Sequence, residues 1–278
     1  MHPLLRWAGS KRKLVPKLLP FWGDGYDRYV EPFAGSAALF FVIQPRRAIL
    51  NDINGELVFA LKQICKSPQD IYLAAKRHSA SSDHYYELRA TAPTSLSDVD
   101  RAARFVFLNR YCFNGLYRTN LSGHFNVPFA STGTGGLPPW KQFSDSAKLL
   151  RRSTLKCEDF ETLIYKHVRK GDFVYLDPPY AVGNRRVFRQ YDPRTFGIDD
   201  LRRFGKTLDE IDRRGAHFVV SYAYCREGLS VLANWNARRV YTQRNISGFA
   251  RHRGRAAELI ATNIDVPTLL HRADSGKE

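Results

Sequence analysis

The chain has 278 residues, of which 44% are hydrophobic and 13% aromatic, enough for the core of one large domain or of one domain with an insertion. No apolar run reaches membrane-spanning length, no signal-peptide region opens the chain, and the four cysteines have neither metal-type nor paired spacing, which predicts a cytoplasmic protein with reduced thiols and no membrane association. The 43 Lys and Arg residues outnumber the 27 acidic residues, and the net charge of +16 favours a polyanionic partner, most simply nucleic acid, over a purely solubilising role.

The first predicted element follows the run Arg-Trp-Ala-Gly-Ser-Lys at residues 6–11. Ser10 is the expected N-cap of a helix that runs from Lys11 towards Leu19, with leucines on one side. Such a helix start presents backbone N–H groups to a carboxylate or phosphate, and Lys11 adds positive charge there. Taken alone, the segment is better explained as an ordinary capped helix with a solvated lysine.

A short strand, a turn of small residues and an apolar helix are predicted at residues 29–41. This order is that of the opening β-turn-α unit of a nucleotide-binding sheet, in which a small turn lets the backbone approach the ligand. A second strand at 48–50 ends in Asn51-Asp52. Asp52 follows the turn at roughly the twenty-residue spacing at which an acid meets a ribose hydroxyl. The turn and the acid together predict a nucleotide-type cofactor site.

From Gly55 to about Pro139 the pattern predicts an inserted helical subdomain, because the segment is too long for a simple crossover. Helices are expected at 56–66, 68–79, 83–91 and 97–112.

The insert ends in a segment, residues 109–129, that mixes aromatic residues, amides and arginines. Turn dipeptides at 114–115 and 122–123 predict a hairpin or loop of the kind that enters DNA. A glycine-rich loop at 131–136 then returns the chain to the first part of the fold.

Three side chains of this hairpin suit contacts with DNA bases. Arg118 could read a guanine edge with two hydrogen bonds, while Asn114 and Leu116 could wedge into the stack beside a displaced base. A solvated hairpin with an aromatic underside explains the same residues equally well.

The third predicted strand, at 154–160, ends in Asp159 and Phe160. These two side chains could meet the adenine ring of a cofactor, Asp159 by a hydrogen bond and Phe160 by contact. Equally, Asp159 could be a strand end that caps the next helix.

The fourth predicted strand, at 172–176, ends in the run Asp177-Pro178-Pro179-Tyr180. Its apolar residues indicate a buried parallel strand, and ligands bind outside the carboxyl ends of such strands. The run suits methyl transfer to an exocyclic amino nitrogen, because the Asp177 carboxylate and the stiffly held Pro178 carbonyl could accept its two hydrogens while Tyr180 stacks on the base. A rigid loop that happens to contain these residues is the alternative.

The last third of the chain combines basic loops with further sheet elements. A loop over the crevice is predicted at 181–197, and a second arginine-rich loop near 244–255 is predicted to contact phosphates. The remaining elements are a helix at 199–214, strands at 217–222, 238–242 and 257–264, and a frayed tail at 265–278.

Six motifs in one order resemble the DNA adenine methylase (Dam) family, the D12 class and α group of N6-adenine-specific DNA methyltransferases. They are Arg-Trp-Ala-Gly-Ser-Lys at 6–11, Glu-Pro-Phe-Ala-Gly-Ser at 31–36, Asn-Asp-Ile-Asn at 51–54, Asn-Arg-Tyr-Cys-Phe-Asn-Gly-Leu at 109–116, Phe-Asn-Val-Pro-Phe at 125–129 and Asp-Pro-Pro-Tyr at 177–180.

The resemblance implies an α/β fold, with a Rossmann-like, S-adenosylmethionine-dependent methyltransferase sheet and an inserted helical and hairpin target-recognition domain. Residues 1–55 and 140–278 would form the catalytic domain, and residues 56–139 the DNA-binding domain. It further implies a bacterial or phage enzyme of the nucleoid, a monomer or homodimer that acts on double-stranded DNA and needs no metal.

Site residues follow from the same resemblance, position by position. The catalytic residues would be Asp177, Pro178, Pro179 and Tyr180. The S-adenosylmethionine site would contain Trp7, Ala8, Gly9, Lys11, Glu31, Phe33, Gly35, Asp52, Asp159, Phe160 and Asp177. DNA would contact Arg6, Asn114, Leu116, Arg118, Asn120, Asn126 and Pro128.

Two departures from the family pattern bear on these expectations. Ala37 replaces a usual glycine of the cofactor turn and is expected to crowd the cofactor slightly. Phe113, Tyr117 and Thr119 differ from the commonest hairpin residues, so the target is either GATC or another short, for example palindromic, site. The alternatives are an N6-adenine methyltransferase of RNA and a DNA-binding regulator without catalysis.

Overall fold

The computed structural model describes residues 1–120, 122–130, 136–180, 196–243 and 255–265. Four predicted features fall outside the described residues: most of the glycine-rich loop (131–135), most of the basic loop (181–195), the arginine-rich loop (244–254) and the tail (266–278). Within the described part of the chain, no helix is long and apolar enough to cross a membrane.

The predicted α/β fold is confirmed, because the described strands form a single mixed sheet flanked by helices. The strands are β1 (Arg28–Glu31), β2 (Ala48–Asn51), β3 (Ser153–Lys156), β4 (Asp172–Leu176), β5 (His217–Ala223), β6 (Asn236–Gln243) and β7 (Arg255–Thr262). Their order across the sheet is β3-β2-β1-β4-β5-β7-β6. Strands β1 to β5 are parallel, whereas β7 runs antiparallel to both β5 and β6.

The strand order reverses between β1 and β4. From β1 the chain moves outward through β2 and β3, and it returns to the other side of β1 as β4, followed by β5. Such a reversal opens a crevice at the carboxyl ends of the two central strands, where ligands bind in open α/β sheets. The residues after β1 and β4 therefore face the crevice, as the sequence predicts.

The helices predicted from the sequence agree with the observed ones to within about two residues, with one exception at the N-terminus, whereas the helices Trp140–Leu150 and Arg226–Val231 were not predicted. They are α1 (Val15–Leu18), α2 (Ala38–Ile43), α3 (Gly55–Lys66), α4 (Pro68–Arg77), α5 (Ser82–Ala90), α6 (Asp98–Tyr111), α7 (Trp140–Leu150), α8 (Phe160–His167), α9 (Ile198–Arg213) and α10 (Arg226–Val231).

The continuous helix expected from Lys11 to Leu19 is wrong. A 3-10 turn at Lys11–Lys13, the single turn of α1 and a second 3-10 turn at Leu19–Phe21 replace it. Pro16 and Pro20 explain the interruptions, because proline donates no N–H and restricts the residue before it.

The expectation that the Ser10 side chain caps this helix is also wrong. Its hydroxyl makes no capping hydrogen bond and instead lies 2.9 Å from the hydroxyl of Ser36, in the turn after β1. The Ser10 hydroxyl therefore links the N-terminal segment to the turn between β1 and α2 (residues 32–37), which we call the cofactor-type turn.

Two large hydrophobic clusters cover the two faces of the sheet, and a third lies under the hairpin. The first joins the sheet to α3, α4, α6 and α7, so the proximal part of the predicted insert shares the core of the rest of the chain. The second lies beneath α8 and α9. The third is small and contains Tyr85, Leu88, Phe107, Leu108, Cys112 and Val127. The helices that carry the hairpin are thereby packed onto the same framework as the crevice.

Candidate active site

Asp177 follows the last residue of β4 and is held by two hydrogen-bond donors from elsewhere in the fold. The Lys11 ammonium lies 2.9 Å from Asp177 Oδ1, and the Ser221 hydroxyl donates to the same oxygen at 3.1 Å. Ser221 is in turn 2.9 Å from the hydroxyl of the buried Tyr175. Within the described residues no donor reaches Asp177 Oδ2, so one oxygen is fixed by the protein and the other is open to a ligand.

Lys11 contacts the turn after β4, residues 177–180, at two places. Its ammonium donates to the Tyr180 hydroxyl at 2.8 Å, besides pairing with Asp177. Burial by itself lowers the pKa of Lys11, but the negative charge of Asp177, aided by Tyr180 and Glu258, outweighs burial and raises it. Lys11 is therefore a charged member of the crevice, contrary to a solvated lysine at a helix start.

Burial also sets the direction of the pKa shift of Asp177. It raises the carboxyl pKa above the ordinary value, although the Lys11 charge and the two hydrogen bonds oppose the rise. The pKa of Tyr180 is raised by burial as well, against the effect of the Lys11 charge. The Tyr180 ring meets Tyr222 edge to face at 5.2 Å between ring centroids. Pro178 is buried, Pro179 is exposed, and no donor in the described part of the chain reaches the Pro178 carbonyl.

The turns after β1 and β2 contact each other through Asp52. Asp52 Oδ2 accepts a hydrogen bond from the Gly35 amide at 2.9 Å, and Oδ1 accepts one from the Asn54 amide at 2.9 Å. Burial raises the pKa of Asp52, while these two hydrogen bonds lower it. A carboxylate has lone pairs for about four hydrogen bonds, so Asp52 retains capacity for a hydroxyl ligand.

Glu31 ends β1 at the centre of the crevice but is only 2% exposed. Its Oε2 accepts the hydroxyl hydrogen of Tyr29 at 3.0 Å. Burial raises the pKa of Glu31 well above its ordinary value, and the charges of Asp177 and Asp52 add to the rise. Glu31 is thus the deepest of three carboxyl groups that follow or end neighbouring strands.

Gly35 is required by the close approach of Trp7. Its φ of +46° is left-handed, and a Cβ at this position would lie 2.7 Å from the Trp7 ring. Trp7 also stacks on Tyr117 of the hairpin, with ring centroids 5.9 Å apart and an interplanar angle of 15°. The indole therefore bridges the cofactor-type turn and the hairpin.

Ala37 occupies a conformation that favours glycine. Its φ is +51° and its side chain is 2% exposed within the hydrophobic core. The methyl group thus packs inward, and the departure at this position strains the backbone rather than crowding the crevice.

The prediction that the third strand ends in Asp159 and Phe160 is wrong, because β3 ends at Lys156 and the pair forms the N-cap and first residue of α8. Asp159 caps α8 by accepting the Glu161 amide at 3.0 Å and forms an ion pair with Arg203 at 2.6 Å. The Phe160 ring packs 5.3 Å from that of Phe33. The capping role considered for Asp159 is confirmed, and the Phe33–Phe160 pair gives this end of the crevice an apolar wall.

The hairpin holds its proposed DNA-reading residues in internal hydrogen bonds. Arg118 Nε donates to Asn126 Oδ1 at 2.7 Å. Asn120 Oδ1 accepts the amides of Ser122 and His124 and so closes the hairpin turn.

The other hairpin positions are more open. Asn114 and Pro128 are exposed and Leu116 is half-buried. Asn114 takes the left-handed conformation (φ +54°), which asparagine tolerates better than most residues. Tyr117 is 9% exposed and lies inward between Trp7, Phe105 and Phe125, so its departure from the family pattern does not alter the exposed surface.

The N-terminal segment is fastened to the base of the hairpin. Asn109 accepts the Arg6 amide at 2.9 Å and donates to the Arg6 carbonyl at 2.6 Å. The Ala8 amide donates to the Gly115 carbonyl at 3.2 Å. Gly9 has a φ of +82°, which lets the chain turn towards Ser10 and Lys11. Residues 6–9 therefore lie between the predicted cofactor and DNA sites.

Three residues of this network were not anticipated from the sequence: Asn51, Ser221 and Glu258. Asn51 links three turns, because it donates to the carbonyls of Pro32 and Glu158 and accepts the Glu158 amide, each at 2.9 Å. All three are polar residues within or at the end of apolar strands. A polar residue that interrupts an apolar strand is the sequence feature that could have identified them.

A family model described as D12 class N6 adenine-specific DNA methyltransferase matches residues 7–247. The chain is 29% identical to the type II methyltransferase M1.LlaDCHI of Lactococcus lactis subsp. cremoris, covering 95% of both chains. It is 31% identical to the retron Ec67 DNA adenine methylase of Escherichia coli, covering 95% of this chain and 92% of the relative. It is 35% identical to a DNA adenine methylase of Serratia marcescens, covering 70% of this chain and 73% of the relative.

Proposed function

The chain belongs to the D12 class of N6 adenine-specific DNA methyltransferases, and from that membership we propose that it transfers a methyl group from S-adenosylmethionine to an adenine flipped out of a short duplex site. The site is GATC or another short sequence. The observation that carries the proposal is the arrangement at Asp177, where Lys11 and Ser221 both occupy Oδ1 and no described residue donates to Oδ2.

The N6 group of adenine is a poor nucleophile because its lone pair is delocalised into the ring. In the proposed reaction Asp177 Oδ2 accepts one N6 hydrogen and the Pro178 carbonyl accepts the other, which draws the nitrogen towards a tetrahedral geometry. Tyr180 supplies the ring on which the flipped base stacks. Catalysis then consists of positioning and of acceptors that are already in place.

The residues around the crevice fit S-adenosylmethionine by their chemistry. Asp52 has spare lone pairs for ribose hydroxyls, and the Phe33–Phe160 wall suits an adenine ring. When bound, this cofactor supplies a methyl group activated by its positive sulfur. Trp7 and Gly35 would close the site on the side of the hairpin.

DNA binding is proposed to use the positively charged surface together with the hairpin. The net charge of +16 supports attraction to phosphates, so binding should weaken as salt rises. Arg118 reads a base edge, and Asn114 and Leu116 fill the gap left by the flipped adenine, which helps to offset a cost of roughly a few kcal/mol.

The deciding experiment treats an unmethylated bacterial genome with the purified protein and S-adenosylmethionine, followed by modification sequencing. We expect N6-methyladenine at one recurring motif. Asp177→Ala should lower the methylation rate by about 100- to 1,000-fold, because one acceptor of the N6 hydrogens is lost. DNA binding by this variant should be largely retained.

The control is Asp199→Ala, which removes an exposed carboxylate from α9. It should methylate at the wild-type rate. Full activity of the Asp177→Ala protein would contradict the mechanism. Methylation of structured RNA, with DNA left unmodified, would move the substrate to RNA.

A further inference from the structure

We propose that Glu258 is a positioning residue, which fixes the Lys11 ammonium against Asp177 Oδ1 and so keeps Oδ2 available to the target nitrogen. The inference rests on the proposed function, because it concerns how Asp177 is held for that reaction. Glu258 lies on β7, the antiparallel strand beside β5, and is far in the chain from both residues that it would influence.

Glu258 is an acid inside the sheet. It is 5% exposed, and it pairs in register with Ala223 of β5 and Val240 of β6. Its Oε1 accepts the Thr242 hydroxyl at 3.3 Å, whereas its buried Oε2 has no hydrogen-bond partner among the described residues. A buried carboxylate is costly unless a charge compensates it, and Lys11 supplies that charge with Nζ 3.8 Å from Oε2.

The Lys11 ammonium has three N–H donors. Two of its contacts, Asp177 Oδ1 at 2.9 Å and the Tyr180 hydroxyl at 2.8 Å, belong to the single turn after β4. The third contact, Glu258, comes from a different strand, and at 3.8 Å it is a charge contact rather than a direct hydrogen bond. Glu258 therefore ties the ammonium to the sheet, while the other two contacts tie it to the turn.

This arrangement assigns the two oxygens of Asp177 different tasks. An ammonium free to shift could bridge both oxygens or move onto Oδ2, where the target nitrogen must bind. The attraction of Glu258 draws the ammonium towards β7 and opposes that shift. Ser221, on the neighbouring β5, donates to the same Oδ1 and supports the same orientation.

The test is a double-mutant cycle between Glu258→Gln and Lys11→Met, measured as the single-turnover methylation rate with saturating DNA and S-adenosylmethionine. Glu258→Gln should lower the rate about 10- to 100-fold, the effect expected of a small misplacement of a reacting group. The dissociation constant for DNA should not change. In the Lys11→Met background, Glu258→Gln should cause no further loss, because it acts only through Lys11.

A purely structural role predicts a different pattern. Glu258→Gln would then lower the rate by the same factor in both backgrounds, and that result would overturn the proposal, as would a wild-type rate for the single variant. Glu258→Asp restores the negative charge and should recover part of the rate. Glu210→Gln is the matched control, because Glu210 is a similarly shielded acid paired to Arg213 and Arg214 at the end of its own helix.

A readout without turnover separates this inference from the proposed function. The ¹⁵Nζ resonance of Lys11 should be visible in the wild-type protein, because its hydrogens are buried and bonded, and should broaden or vanish in Glu258→Gln. An unchanged resonance would overturn the contact. If the wild type methylates no adenine, the proposed function fails, while the resonance still tests the pairing of Glu258 with Lys11.

Discussion

The crevice and the hairpin organise their polar groups in opposite ways. In the crevice, donors from separate elements converge on Asp177 Oδ1, and no residue that the structure describes donates to Oδ2. In the hairpin, Arg118 and Asn126 satisfy each other, and Asn120 closes its own turn. In the proposed function, the reacting group is thus in place before any ligand binds, whereas the proposed DNA-reading groups exchange internal hydrogen bonds for contacts with DNA.

The difference between the two regions indicates which interactions require rearrangement when ligands bind. A preorganised acceptor costs no rearrangement at the moment of reaction. In the proposed base readout, Arg118 would first release Asn126 and gain only the difference between two sets of hydrogen bonds, so a wrong base that fails to replace them would be rejected. Under the proposed function, the fixed acceptor would raise the rate, and the exchangeable hydrogen bonds of the hairpin would provide sequence specificity.

The largest expected effect comes from the glycine that joins the two regions. Gly115 has a φ of +63°, and a Cβ there would lie 2.6 Å from the Arg6 Cβ. Gly115→Ala should lower the free energy of unfolding by about 2–4 kcal/mol, because it adds both left-handed strain and overpacking. Gly123, with a φ of +78° and no described residue within 4 Å of an added Cβ, is the matched position.

Gly123→Ala should cost only about 1 kcal/mol, since it adds strain without a clash. Urea unfolding of both variants measures the difference. Equal losses in the free energy of unfolding would show that the close contact between Gly115 and Arg6 does not contribute to stability. That result would contradict an energetic coupling between the crevice and the hairpin.

A smaller effect is expected at the reading surface. Arg118→Ala should weaken binding to the methylated motif by about 1–3 kcal/mol and relax discrimination at one base pair. Arg118→Lys should not restore discrimination, because lysine lacks the forked guanidinium. Fluorescence anisotropy with matched and mismatched duplexes measures both effects.

The control for charge is Arg202→Ala, on the exposed side of α9. It removes the same charge without touching the hairpin. If both variants weaken every duplex equally, Arg118 contributes only general attraction and the hairpin does not read sequence.

The smallest expected effect is a difference in pH dependence between the methylation rate, which depends on the crevice, and DNA binding, which depends on the hairpin and the basic surface. In the proposed mechanism Asp177 must be ionised to accept an N6 hydrogen, and burial raises its pKa, so protonation should remove activity at a higher pH than for an ordinary aspartate. Below the folded pKa the single-turnover rate should fall about tenfold per pH unit, roughly 1.4 kcal/mol each. DNA binding through arginines should lack this acid limb, and a parallel loss of binding would assign the limb to another group.

Much of the sheet and crevice could be predicted, because apolar runs that end in polar residues mark the carboxyl ends of parallel strands. Asp52 and Asp177 lie where that reasoning puts them. The interrupted segment at residues 11–21 was also readable from Pro16 and Pro20, whose effect outweighs the leucine spacing.

What could not be predicted depends on contacts between distant strands. Lys11 meets Glu258 because β7 inserts between β5 and β6, and no local pattern reveals that order. The inward stacking of Tyr117 on Trp7 is likewise a tertiary result. The division into catalytic and DNA-binding domains stays a prediction, since the proximal helices of the insert share the main core.

The clasp between residue 6 and the base of the hairpin limits how this protein could be re-engineered. Asn109 bonds both the amide and the carbonyl of Arg6, and the Gly115 carbonyl bonds the amide of Ala8. A chimaera that exchanged only residues 56–139 with a relative would place the hairpin of the relative against residues 6–9 of this chain, with which it did not evolve. Exchanging residues 6–9 together with residues 56–139 would preserve these contacts. We therefore expect chimaeras with new sequence preferences to fold best when both segments come from the same relative.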